Sequence, residues 1–102
     1  MALPPRNHRV SLAEAAAHTR RHREAKVHPV NAHAFHADQV RELLAHPDCA
    51  ALRIYHGRDE KGNPNLVLVA ADAAGNDLTQ GAVLEYDFPC PPLCATASAL
   101  GG

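Results

Sequence analysis

The spacing of hydrophobic positions changes from helical in the first half of the chain to strand-like in the second half. Val40, Leu43 and Leu44 recur at the three- and four-residue spacing of a helix, which predicts a helix over residues 37–45. Farther along, residues 66–70 are apolar on both faces of an extended chain. A strand that is apolar on both faces is typical of the centre of a sheet.

An earlier helix is predicted over residues 12–26, which are rich in Ala and contain neither Gly nor Pro. Ser11 and Glu14 stand three positions apart, as in a capping box at a helix N-terminus. The basic residues near the other end suit the negative pole of the helix dipole. The apolar face consists largely of Ala, so we expect close packing through small residues or only partial burial.

The second half predicts an antiparallel hairpin and one further strand. Residues 51–56 and 64–71 flank the polar, Gly-containing turn 57–63. Residues 83–88 alternate between apolar and polar positions and predict a half-exposed strand, and a short extended piece is expected near 32–35. The predicted fold is α+β, with two N-terminal helices packed on a three- to four-stranded antiparallel meander.

The length of 102 residues is enough for a single domain with a modest core. We predict a flexible arm over residues 1–10, a single α+β domain over 11–94 and a disordered tail over 95–102. Aromatic residues make up 4% of the chain, so the core is expected to be aliphatic. A small aliphatic core of this kind is often completed by a second subunit.

The charge distribution does not favour a nucleic-acid or membrane partner. The net charge is −1, with an excess of basic residues before position 47 and of acidic residues after it. No signal peptide and no apolar run long enough to cross a membrane are recognisable, and three cysteines do not suit a secreted disulfide framework. We therefore expect a cytoplasmic protein with reduced thiols.

The segment Cys90-Pro91-Pro92-Leu93-Cys94 is the strongest chemical signal of the sequence. Two thiolates could supply half of a zinc site, with the other ligands from histidines or a second subunit. They could also form a redox pair, although the spacing is looser than the C-x-x-C motif. A third interpretation is a structural tail that carries two ordinary thiols.

Histidines provide the other candidate ligands. His18 and His22 are four residues apart and would project from one face of the first helix, a spacing used for divalent metals. His28, His33 and His36 follow in the connector and could extend the set. A solvated basic helix face and a His-rich composition explain the same pattern. Cys49 is expected to be an inert, buried thiol.

Parts of the sequence resemble a group of small, uncharacterised bacterial proteins of the Bacteroidetes type. The shared pattern comprises Leu52-Arg53-Ile54-Tyr55, Asp59-Glu60, Gly62, Pro64, Leu66–Val69, Asp72, Gly75-Asn76-Asp77-Leu78 and Pro89-Cys90-Pro91-Pro92-Leu93-Cys94. A weaker likeness reaches back to Ser11, and the whole covers about residues 11–94. The group has no assigned activity, so the resemblance implies the same fold and singles out the cysteine motif without implying catalytic residues.

The sequence favours a small, non-enzymatic, self-associating interaction module, without catalytic or cofactor-binding residues. The first alternative is a metal-binding protein in which Cys90, Cys94, His18 and His22 hold zinc. The second is a thiol-redox protein that uses the same two cysteines. The expected partner is a second copy of the chain, with nucleic acid and membrane disfavoured.

Overall fold

The structure, a computed structural model, describes residues 1–101 and confirms the α+β fold class. Two helices and five strands occur in the described chain: α1 Leu12–Ala25, β1 Ala32–Ala34, α2 Ala37–Leu44, β2 Ala51–Arg58, β3 Pro64–Ala71, β4 Val83–Leu84 and β5 Phe88–Cys90. The strands form two antiparallel sheets, one with the order β2-β3-β4 and one that pairs β1 with β5. The predicted helices, hairpin and central strand are all present.

The described chain forms two compact units. The central unit comprises residues 1–5 and 35–87, and the terminal unit comprises residues 6–34 and 88–101. The domain boundaries at residues 10 and 94 stay a prediction.

The core of the central unit lies between α2 and the three-stranded sheet. Leu43 of α2 is 2% exposed and packs with Leu68 and Ala70 of β3, which lie on the same face of the sheet. Alternate residues of a strand share a face, so the remaining β3 side chains point to the other side. There Val69 and Ala71 are also buried. Burial on both faces explains why β3 is apolar throughout and confirms its central position.

The β2–β3 hairpin closes through a turn organised by Asp59. Its carboxylate accepts hydrogen bonds from the backbone N–H of Lys61 at 2.9 Å and of Asn63 at 2.8 Å. The bonds from Asn63 contribute most to a pKa of Asp59 below its ordinary value. Gly62 adopts a left-handed φ of 83° in this turn. Turn chemistry and strand pattern therefore specify the same register, in which Ile54 lies opposite Leu68.

In the terminal unit, α1 begins at the predicted cap. The Ser11 hydroxyl accepts a hydrogen bond from the Glu14 N–H at 3.1 Å, and the helix ends at Lys26, whose φ of 52° is left-handed. No residue of α1 is fully buried, which agrees with its Ala-rich face. The short extended piece is β1, which pairs with β5.

The prediction of one continuous strand over residues 83–88 is wrong. Tyr86 has a φ of 56° and is 92% exposed. A left-handed residue cannot continue a strand, so β4 ends at Leu84 and β5 begins at Phe88. The two pieces join different sheets, with β4 beside β3 and β5 beside β1.

Neither helix of the described chain is long and apolar enough to cross a membrane.

The turn at residues 72–77 generates a prediction about stability. Gly75 has a φ of +88°, and a Cβ atom built there would collide with the Met1 carbonyl oxygen. We therefore expect Gly75→Ala to lower the free energy of unfolding by more than the roughly 1–2 kcal/mol that left-handed φ alone costs. Denaturant unfolding followed by circular dichroism measures this difference.

The matched control is Gly62→Ala, because Gly62 has a similar φ of +83° with no atom within 4 Å of its built Cβ. It should show the conformational cost without the collision. Equal losses of stability in the two variants would contradict the close approach of Met1 to Gly75.

Candidate functional site

The first candidate surface is the outer edge of β2. This eight-residue strand has β3 on one side and no strand on the other side in the described chain. Its exposed large hydrophobic side chains are Leu52, Ile54 and Tyr55, and Ile54 is 50% exposed. We call this outer edge with these three side chains the β2 edge. An edge strand presents unpaired backbone N–H and C=O groups and is a template for pairing with another strand.

The exposure of Leu52 and Ile54 follows from the position of α2. In the hairpin register, Leu52 lies opposite Ala70 and Ile54 lies opposite Leu68, so they share the face that carries the core. Helix α2 packs on β3 and β4 of that sheet. The apolar face therefore continues onto β2, where it is exposed to solvent.

The opposite face of β2 carries a polar network. The Arg53 Nη1 donates hydrogen bonds to Oδ1 of Asp77 at 2.6 Å and to the Gly75 carbonyl oxygen at 2.8 Å. The Tyr55 hydroxyl donates a short hydrogen bond to the other carboxylate oxygen of Asp77. Arg53 and Tyr55 are two residues apart on one strand, and together they fasten the turn at residues 72–77 to β2.

Hydrogen bonding sets the proton affinities in this network. The bonds from Tyr55 and then from Arg53 lower the pKa of Asp77, because they stabilise its ionised form. The bond to Asp77 raises the pKa of Tyr55. Both groups are therefore held in their ordinary neutral-pH states, an ionised carboxylate and a protonated phenol. The network is suited to fixing a surface and gives no activated base or nucleophile.

The second candidate is the cysteine pair in the terminal unit. Cys90 and Cys94 form a disulfide, with their Cα atoms 4.8 Å apart, so the expectation of reduced thiols is wrong for this pair. Cysteine ligands bind metals as thiolates, so metal binding by this pair requires reduction first. A disulfide can accept two electrons and two protons from a dithiol, and the redox interpretation stays a prediction. The free cysteine is Cys49, which is partly buried in the central unit.

The two predicted histidine ligands, His18 and His22, have different surroundings. His18 is exposed on α1, whereas the His22 Nε2 lies 3.2 Å from the Val30 carbonyl oxygen. The His22 ring contacts the His28 ring edge-on, with centroids 4.9 Å apart. Across residues 1–101, no three His, Cys, Asp or Glu side chains are grouped so that they could hold a metal ion. The zinc site of Cys90, Cys94, His18 and His22 stays a prediction.

The Arg53–Tyr55–Asp77 network was not anticipated from the sequence. Its signal is weak, since an Arg and a Tyr two positions apart on a strand are common, and Asp77 comes from a turn more than twenty residues later. Only the register of β2 on β3, together with the folding back of the 72–77 turn, brings them together.

No family model, curated protein or solved structure matches this chain. The resemblance to small bacterial proteins therefore stays a prediction, and functional proposals rest on the chain's own geometry.

The ionised state of Asp77 predicts a pH-dependent contribution to stability. Its pKa is lowered on folding from the ordinary 3.8, so the stabilisation is present above that value and is lost as pH falls through the folded pKa. We expect Asp77→Asn to lower the melting temperature at neutral pH, with the difference disappearing in acid. Thermal unfolding of both proteins across this pH range measures the effect.

The control is Glu60→Gln, which removes a carboxylate from the exposed hairpin turn. It should leave the acid dependence of the melting temperature nearly unchanged. Coincident curves for the wild type and Asp77→Asn would show that the network does not stabilise the fold, and parallel curves with a constant offset would show that its contribution does not depend on the ionisation of Asp77.

The disulfide predicts a simple thiol count. Protein purified without reductant and denatured should react with a thiol reagent at Cys49 alone, and at all three cysteines after treatment with a dithiol. In the Cys49→Ser variant, the untreated protein should show no reactive thiol and the dithiol-treated protein should show two. Three reactive thiols in the untreated wild-type protein would exclude the Cys90–Cys94 bond under those conditions.

Proposed function

We propose that this chain is a non-enzymatic interaction module that forms a homodimer through the β2 edge. The observation that carries the proposal is an edge strand eight residues long with an exposed apolar face. Charged or very short edge strands normally prevent such pairing; β2 is eight residues long, and the charged side chain on its Leu52–Ile54 face is Arg58 at the end of the strand. The occupant that this edge fits is the same strand of a second copy.

Backbone hydrogen bonding supports a strand as the partner. Pairing two β2 edges satisfies the outward N–H and C=O groups of both strands at once. The three-stranded sheets of two copies would then join into one sheet of six strands. A two-fold axis makes the contact self-complementary and closes the assembly at two subunits.

Side-chain pairing favours one register about that axis. With Ile54 opposite Ile54 of the second copy, the core-bearing faces of both sheets lie on the same side, because antiparallel partners share a face, and Leu52 lies opposite His56 of the second copy. The same register places Arg53 opposite Tyr55 of the second copy. A shift of the axis to Arg53 would instead oppose two like charges, which is unfavourable.

The polar network supports this role because it holds the other face of the strand in place. Arg53 and Tyr55 are both tied to Asp77, so less side-chain entropy is lost when a partner strand docks. The net charge of −1 gives no general attraction to nucleic acid, which also favours a protein partner.

Dimerisation of the untagged protein is the test of the proposal. Native mass spectrometry and sedimentation should detect a dimer whose population rises with protein concentration. Ile54→Lys should weaken dimerisation by at least about tenfold, because two buried ammonium groups would meet at the axis. Circular dichroism checks that the variant remains folded.

The matched control is Val83→Lys, because Val83 lies on the opposite edge of the same sheet and is also 50% exposed. It should dimerise like the wild type. A wild-type monomer at all concentrations, or equal weakening by both variants, would refute pairing through β2.

The register is checked by cysteine cross-linking in a Cys49→Ser background. Ile54→Cys should oxidise to a covalent dimer, because Cα atoms opposite each other on paired strands lie within disulfide range. His56→Cys projects from the same face but would be about 13 Å from its counterpart, so it should not cross-link. Cross-linking of His56→Cys alone would place the axis elsewhere.

A further inference from the structure

We propose that the terminal unit contains a binding site for a small, uncharged and mainly apolar molecule, beside the Cys90–Cys94 disulfide. The site is a partly open cavity of about 370 Å³. Ligand cavities in proteins commonly measure about 300 to 1,000 Å³, so the volume suits a molecule of one or two rings. This inference is independent of the dimer, since every lining residue belongs to the terminal unit.

The floor of the cavity is one face of the β1–β5 sheet. Ala32 pairs with Cys90 and Ala34 pairs with Phe88, and all four residues line the cavity. Opposed residues on antiparallel strands share a face, so the sheet register gathers these side chains on one side. The two small Ala side chains on β1 leave space above the strand, and the Phe88 ring offers an aromatic surface.

The walls come from the disulfide loop and the chain that follows it. Leu93 and Cys94 line one side, and the loop is closed by the bond from Cys90 and by the Leu93 N–H, which donates to the Pro89 carbonyl oxygen at 2.9 Å. The disulfide fixes the wall to the floor because Cys90 belongs to β5.

A turn at residues 98–101 forms a further wall of the cavity. Ser98 and Leu100 line the cavity, and the Leu100 N–H donates to the Ser98 hydroxyl at 3.1 Å. The Arg23 guanidinium of α1 donates to the Leu100 carbonyl oxygen at 2.7 Å, which ties this turn to the helix. Residues 98–101 are thus connected to α1 at the rim of the cavity.

The chemistry of the lining defines the ligand class. None of the lining residues is Asp, Glu, Lys or Arg, and the titratable one is His33, so a charged ligand would lose hydration without gaining a carboxylate, ammonium or guanidinium partner among them. Thr19, Asn31 and Ser98 provide hydroxyl and amide groups among the apolar walls. A few polar groups in an apolar cavity orient a ligand that has one or two hydrogen-bonding atoms.

Fluorescence titration with N-phenyl-1-naphthylamine, an uncharged dye that brightens in apolar surroundings, tests the site. The oxidised full-length protein should bind it saturably at one site per chain. The double variant Ala32→Phe/Ala34→Phe fills the floor of the cavity and should weaken binding by at least about tenfold. Both positions are exposed and aromatic residues suit strands, so the variant is expected to fold.

The control is Ala13→Phe/Ala25→Phe, which adds the same two rings at exposed positions of α1 outside the cavity. Its affinity should remain within about twofold of the wild type. Absence of saturable binding by the wild type, or equal affinity of the filled variant, would overturn the proposal.

Two further measurements locate the ligand and its charge class. Dye-induced NMR shifts should concentrate on Ala32, Ala34 and Ser98, and shifts confined to other residues would refute the site even if the filled variant failed to fold. The sulfonated relative 8-anilinonaphthalene-1-sulfonate should bind at least about tenfold more weakly. Equal affinity for the sulfonate would overturn the assignment to uncharged ligands.

Discussion

The shortness of α2 is the constraint on which the central unit depends. An eight-residue helix is about 12 Å long and, with its side chains, about 10 Å wide. Strands lie about 4.8 Å apart, so such a helix covers roughly two of them. It covers β3 and β4, where Leu43 meets Leu68 and Ala70, and the partly buried hydrophobic residues packed against this core come from outside β2.

The position of α2 leaves β3 and β4 covered on the core face of the sheet and β2 exposed on that face. The central strand β3 takes its stability from burial on both faces, whereas β2 is anchored by its hairpin register and by the Arg53–Tyr55–Asp77 network. Strand β2 is paired with β3 along one edge and held by the polar network on one face, while its other edge and other face are uncovered. A strand that is already held in place loses little conformational entropy when a partner docks. The functional proposal follows from one helix covering two strands of a three-stranded sheet.

The parts of the fold that could be predicted from sequence are those specified by neighbouring residues. Ser11 caps α1 through a contact three positions away, and Asp59 closes the hairpin through contacts two and four positions away. The β1–β5 sheet and the Arg53–Asp77 pair depend on residues that are distant in sequence. Strands of two or three residues are too short to show a period, and Tyr86 carries no sequence signal for its left-handed backbone.

At the candidate sites as well, local features could be predicted from the sequence and contacts between distant residues could not. Cysteine spacing directed attention to Cys90 and Cys94, but spacing alone could not distinguish thiolates from a disulfide, because that depends on how the loop folds. The cavity beside them could not be read from the sequence. Its floor requires Ala32 and Ala34 to meet β5, and its rim requires Arg23 to reach the Leu100 carbonyl group.

The pairing of β1 with β5 also determines when each unit can form during synthesis. Most of the central unit is one continuous stretch, residues 35–87, and it can begin to fold as that stretch leaves the ribosome. The terminal unit draws its two segments from opposite ends of the chain, so β1 must wait for β5. Translation therefore imposes an order of assembly, in which β1 remains without its sheet partner at least until β5 has been synthesised.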